Sequence, residues 1–163
     1  MLPAWTSAEL ERAAALDLTA EERALFASFA ETLIPTEGTT LLPLTDVPVV
    51  DNIAAALSFL DPATLEEVRM GLKLFDYGPF VIGFHFKRFS ALSLSDREAY
   101  IRRWEEGVTI QRGVVDLLKK LTFIGYWQSI EASRAVGYRG PVSIEGGVPY
   151  QGNAPMPTEE SPA

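Results

Sequence analysis

The sequence predicts an all-α fold, a single compact helical domain of about six or seven helices with an irregular Gly/Pro-rich C-terminal arm. Two observations carry this expectation. Apolar residues recur at helical spacing in one segment after another, and those segments open on hydroxyl–carboxylate pairs and close on Gly or Pro, as helices do. A third is negative: no segment offers itself as a partner strand. With 163 residues, 47% hydrophobic and 22% charged, the chain is long enough for one sizeable core and short for two. The expected division is a helical domain over 1–141 and an extended arm over 142–163, ending after Gly152 in an acidic, disordered tail.

Element by element, Thr6 with Glu9 and Thr19 with Glu22 read as capping boxes, each satisfying free amides of a first helical turn. After the second, Phe26, Phe29, Ala30 and Leu33 form an apolar stripe that Pro35 stops. Residues 36–45 mix Gly, Thr and Pro without periodicity and predict a loop. Pro48 suits a first turn, with Val49, Ile53, Leu57 and Leu60 as the next stripe. Asp61-Pro62 opens a helix that buries Leu65, Val68, Leu72 and Phe75 and breaks at Gly78-Pro79. The aromatic-rich stretch from Phe80 to Phe89 is assigned to a short helix. Ser95 with Glu98 reads as a further capping box, ahead of Tyr100, Ile101 and Trp104 and of a stop at Gly107.

Ile110 to Ala135 is the longest periodic run, and its two halves differ. Arg112, Asp116, Lys119 and Lys120 share a polar strip, and the same strip continues through Phe123, Trp127 and Ile130. Ile110, Val114, Leu117, Leu118, Leu121 and Ile124 form the opposite, inward face. The second half is therefore apolar nearly all round and has to be covered on every side. Either residues 137–152 fold back over Phe123 and Trp127, or a partner protein covers them.

The residues that carry chemistry are sparse. A net charge of −8 excludes a basic nucleic-acid face; Arg102, Arg103, Lys119 and Lys120 read as a solvated helix surface. Without cysteine there is no thiolate nucleophile, disulfide or iron–sulfur cluster. The single histidine, His85, sits among Phe84, Phe86 and Phe89 and reads as a packed ring. The pairs Glu21-Glu22, Glu66-Glu67, Glu105-Glu106 and Glu159-Glu160 read as solvated charges, since sequence neighbours on a helix do not face each other. Gly137, Gly140, Gly146, Gly147 and Gly152 form no phosphate-binding motif and suit the turns of an arm. No catalytic, cofactor-binding or metal-binding residue is assigned in this chain. No signal peptide, twin arginine or membrane span is read, so the chain as given is expected to be cytoplasmic, and periplasmic if a leader has been removed or the partner carries one.

From Phe89 onward the order of features is distinctive. Phe89-Ser-Ala-Leu is followed by Asp96-Arg97-Glu98-Ala-Tyr100-Ile101-Arg-Arg-Trp104, then Leu118-Lys119-Lys120-Leu121, Gly125-Tyr126-Trp127 and Val136-Gly137-Tyr138-Arg139-Gly140-Pro141. Upstream, Phe26 to Pro35 ends in Leu-Ile-Pro. Over residues 22–141 this order resembles the gluconate 2-dehydrogenase subunit 3 family. The resemblance implies a non-catalytic small subunit that binds and stabilises a large FAD-containing dehydrogenase of the glucose–methanol–choline type, acting on a sugar, alcohol or related hydroxyl substrate. On that reading FAD belongs to the partner, and a cytochrome or other electron-acceptor subunit can complete the complex. The alternative is a stand-alone helical adaptor.

The residues expected to meet the partner are Phe123, Trp127, Ile130, Tyr138, Arg139 and Pro141, because aromatic residues and arginine are enriched where interfaces are tightest. The chain departs from the family pattern in lacking a twin-arginine leader and in carrying Ile130 and Ser133 where the family has proline and tryptophan. The second departure predicts that the long helix runs unbroken to Ala135.

Overall fold

A computed structural model of the chain describes residues 16–82 and 86–138, with only the backbone of Ile82. Among the described residues there are six α-helices, two 3-10 turns (Leu44–Asp46 and Phe89–Ala91) and no strand. The all-α expectation is met. The capping box at Thr6, His85, Arg139, Pro141, the glycines beyond Gly137, the pair at Glu159 and the arm from 142 lie outside the described residues.

Helix α1, Ala20–Leu33, starts as expected: Glu22 N–H donates to the Thr19 hydroxyl at 3.2 Å and Thr19 N–H to the Glu22 carboxylate at 2.8 Å. It buries Leu25, Phe26, Phe29 and Ala30, and stops before Pro35. Helix α2, Val49–Leu57, lays Val49, Ile53 and Leu57 inward, with Pro48 as its cap. Helix α3, Pro62–Ile82, is capped by Asp61, whose carboxylate accepts from the amides of Ala63 and Thr64 at 3.1 Å. Helix α4, Leu94–Glu105, buries Tyr100, Ile101 and Trp104. Its cap is Ser93 accepting from Asp96 N–H, not Ser95; the true pair lies two residues upstream of the expected one.

Two helix boundaries correct the sequence reading. Helix α3 does not break at Gly78-Pro79 but continues to Ile82, so the helix assigned to Phe80–Phe89 is instead the last turn of α3, three residues outside the description, and the 3-10 turn at Phe89. Proline costs a helix the hydrogen bond to the carbonyl four residues back, here that of Phe75. The Tyr100 hydroxyl donates to that Phe75 carbonyl at 3.0 Å and replaces the missing bond. Gly78 makes room for it: a methyl group there would collide with the Tyr100 hydroxyl. The second correction is that the long helix does not reach Ala135. Helix α5 spans Thr109–Trp127, and Ser129 caps a separate α6, Ile130–Ala135, by accepting from Ala132 N–H.

The aromatic part of the core lies where α1, α3, α4 and the turn at Phe89 meet, and Val49, Ile53 and Leu57 of α2 with Val115 and Leu118 of α5 complete it. Phe75 is the hub: its ring centroid is 5.8 Å from that of Phe29, 4.8 Å from Phe89, 5.2 Å from Tyr100 and 4.9 Å from Trp104. Most of these pairs are tilted or edge-to-face, the geometry the ring quadrupoles favour. The buried Asp76 carboxylate accepts from Ser90 N–H at 3.2 Å and ties that turn to α3, while Arg97 binds the carbonyls of Ser28 and Ser90 and pairs with Glu31 at 2.6 Å. Opposite this junction α5 packs against α2 more closely than any other helix pair. Gly125 permits it, since a Cβ there would sit 2.7 Å from the Val49 carbonyl, and Asn52 Nδ2 donates to the Gly125 carbonyl at 2.7 Å.

Candidate functional site

Among the described residues no group of three or more His, Asp or Glu is placed to hold a metal ion. Of the six glutamates of the sequence pairs among the described residues, four make ion pairs, and all but Glu22 are exposed as expected. Glu22 is buried and pairs with Arg69 at 3.2 Å, which corrects its reading as a solvated charge. Glu21 pairs with Arg88 at 2.7 Å, Glu66 with Arg69 at 3.6 Å, and Glu105 with Lys119. Lys119 is accordingly half-buried, whereas Arg102, Arg103 and Lys120 are exposed as expected. Burial pushes the Tyr100 phenol well above its ordinary pKa, so it remains a neutral donor to Phe75. Burial also raises the Asp76 carboxyl, against the opposing pull of its hydrogen bond from Ser90 and the charge of Arg88.

What the chain presents instead is an apolar helix end. On α5 the inward face is Val115, Leu118, Leu121, Thr122, Gly125 and Tyr126. The expected inward face is thus rotated: Ile110 and Ile124 are exposed, Val114 and Leu117 only half-buried, and Thr122 is buried. The reason lies in Gly125 and Tyr126. Gly125 sits against α2, and the buried Tyr126 donates its hydroxyl to the Leu42 carbonyl at 2.9 Å, which fixes the azimuth of the last two turns. Phe123, Ile124 and Trp127 then face outward, at 44%, 51% and 39% exposure, and Ile130 follows at 50%. Spaced three and four residues apart, Phe123, Ile124 and Trp127 lie on one helix face.

Local contacts hold this face in place. The Trp127 ring meets that of Tyr126 edge-on, with centroids 4.9 Å apart, so an exposed indole is braced by a buried phenol. The Ser133 hydroxyl donates to the Trp127 carbonyl at 3.3 Å, and the fully buried Ala132 seats α6 on the core. Gly137, at φ +85°, closes α6 in a Schellman motif: Tyr138 N–H donates to the Ser133 carbonyl at 3.1 Å and Gly137 N–H to the Arg134 carbonyl at 2.9 Å. Val136 and Tyr138, both exposed, are thus fixed immediately after α6. A polar rim is present in Glu131 and Arg134; hydrogen bonds from its own backbone amide and the Ser129 hydroxyl hold the Glu131 carboxyl below its ordinary range.

Of the residues expected to meet a partner, Phe123, Trp127, Ile130 and Tyr138 are therefore exposed, and Arg139 and Pro141 lie outside the described residues. Sequence reasoning missed Ile124 and Val136. It also missed a second bare face, on α3, where Met70, Leu74, Tyr77 and Val81 are exposed. The signal for that face was their helical spacing on the side opposite Leu72 and Phe75. Among the described residues no helix is long and apolar enough to cross a membrane. Comparison of the chain with protein-family models, curated proteins and solved structures finds no match.

Proposed function

We propose that this chain is a non-catalytic small subunit that binds and stabilises a larger FAD-dependent dehydrogenase, of the glucose–methanol–choline type that the sequence resemblance implies. The observation that carries the reading is the bare end of α5 and α6, where Phe123, Ile124, Trp127 and Ile130 stand in water on a braced framework. Apolar side chains so clustered gain about 25 cal/mol for each Å² that a partner covers. A rigid aromatic anchor rimmed by charge is the composition of an interface hot spot. FAD and the reacting groups belong to the partner in this reading, a cytochrome or other electron-acceptor subunit can join the complex, and this chain contributes surface.

The test is co-purification from the source organism. A flavoprotein of several hundred residues, recognised by flavin absorbance, should accompany the tagged chain and should be lost from the Trp127→Ala variant. A colourless chain that captures no flavoprotein would instead fit a stand-alone helical adaptor.

A further inference from the structure

Pro35 ends α1, Ile34 before it is already extended, and the chain then loops to the 3-10 turn at Leu44. Between that loop, the end of α1 and the start of α4 lies a groove of 630 Å³. Its volume falls within the range of about 300–1,000 Å³ common to ligand-binding clefts. The lining is largely apolar: Ile34 and Pro35 come from the end of α1, Pro43 and Leu44 from the loop and turn, and Leu94, half exposed, from the first turn of α4. Leu44 also borders a smaller cleft of 200 Å³, which Ala27, Ala30, Val47 and Val50 line. Ala27, Ala30, Glu31 and Ile34 are three or four residues apart, so both hollows follow one side of α1.

Two independent features make the larger groove negative. Glu31, Glu37 and Glu98 stand on its rim, and no Lys or Arg lines it. Glu31 is matched by Arg97, whereas Glu37 and Glu98, both exposed, make no ion pair among the described residues. The second feature is the helix end itself. The last turn of α1 holds no basic residue, and Pro35 has no N–H to return to the Glu31 carbonyl. Among the described residues no amide beyond the helix reaches the carbonyls of Glu31, Thr32 or Leu33. The negative end of the helix dipole is therefore left without a cation, and Glu31 and Thr32 place it on the groove wall.

We propose that this groove binds an extended segment of a partner protein that carries Lys or Arg beside an aliphatic residue. Such side chains combine an apolar stem with a cationic head. The stem matches the apolar floor at Pro43 and Leu94, and the head matches Glu37, Glu98 and the open carbonyls. The smaller cleft beyond Leu44 takes the aliphatic neighbour. Two hollows of different chemistry, one on each side of a single side chain, suit a strand-like peptide with successive side chains entering each. A free polyamine satisfies the charge alone and leaves the apolar cleft empty. This inference is independent of what the α5–α6 end binds.

The test is selection from a random short-peptide phage library on the immobilised full chain, followed by fluorescence anisotropy with the synthetic consensus peptide. Enriched peptides should carry Lys or Arg next to Leu, Ile, Val or Pro. Glu37→Gln combined with Glu98→Gln should weaken the consensus peptide by about fivefold or more at low salt, where exposed charges are least screened. The equal charge change made elsewhere, Glu67→Gln with Glu106→Gln, should leave binding unchanged, as should Trp127→Ala. Leu94→Ser, which alters no charge, should weaken it by about threefold through the lost apolar contact. Circular dichroism of each variant, matching that of the parent, separates these effects from misfolding. The proposal is overturned if no basic–aliphatic peptide is enriched, or if the control pair weakens binding as much as the groove pair. It is equally overturned if spermine binds as tightly as the peptide and Leu94→Ser has no effect, since the site would then recognise charge alone.

Discussion

Two aromatic regions of this molecule are built from the same kinds of side chain and end in opposite states. At the junction of α1, α3 and α4, Phe29, Phe75, Phe89, Tyr100 and Trp104 converge from four elements, and none is more than 4% exposed. At the end of α5, Phe123 and Trp127 project from a single helix, with Tyr126 bracing the indole. Composition does not separate the two. The difference is what faces each ring: a turn, a carbonyl or another ring in the first case, water in the second. An aromatic cluster converging from several elements is a core. A cluster standing on one element is an exposed apolar patch, the kind of surface at which proteins meet other molecules.

The comparison can be broken by substitution, most severely in the sealed region. Phe75→Ala removes the hub of four ring contacts and leaves a cavity, so it should cost about 3–5 kcal/mol, read from the shift of the urea midpoint. Tyr100→Phe keeps the ring and removes only the hydroxyl that repairs the helix at Pro79. The unsatisfied Phe75 carbonyl should then cost about 1–3 kcal/mol in the same assay. A null result would mean that water reaches that carbonyl and that the repair is not needed.

At the bare end the order should invert. Trp127→Ala should change the stability of the isolated chain by less than about 1 kcal/mol, yet weaken association with the partner at least about tenfold. A stability loss rivalling that of Phe75→Ala would return Trp127 to the core.

A smaller effect concerns charge in the sealed region. Because burial raises the Asp76 pKa, the folded state holds its proton more tightly than the unfolded chain does. The associated stabilisation is complete below about pH 3.8, the ordinary value, and is lost as pH rises through the raised one. Asp76→Asn keeps an oxygen to accept from Ser90 N–H and cannot ionise. It should match or exceed the parent in stability at pH 7 and flatten the dependence of the midpoint between pH 4 and pH 7. The smallest change should come at Gly113 of α5, where a Cβ meets nothing within 4 Å; Gly113→Ala should gain about 0.5–1 kcal/mol.

The parts of the fold legible in the sequence are those that neighbours in the chain decide. Thr19 with Glu22, the helix start at Asp61-Pro62, and the stop before Pro35 each act across a few residues, and each stands in the structure where the sequence predicts it. The failures share a different origin. Gly78-Pro79 is a helix breaker by every local rule, and the hydroxyl that overrules it comes from Tyr100, on another helix. The rotation of α5 that exposes Ile124 is set by Leu42 and Val49, both far away in sequence. The break at Gln128 was hidden because apolar periodicity runs straight through it, and Ser129 alone marks the new start. In the candidate site, the outward placing of Phe123, Trp127 and Ile130 was legible as a polar strip that turns apolar. The bare face of α3 was legible too, but only if the side away from the core is read as carefully as the side toward it.

Whether another protein covers the end of α5 and α6 is addressed directly by native mass spectrometry of the chain isolated from its source. A complex in which the 17.9 kDa chain is joined to a larger FAD-bearing subunit, and which Trp127→Ala dissociates, is the predicted result. A lone 17.9 kDa species, or a flavoprotein complex indifferent to Trp127→Ala, would contradict it.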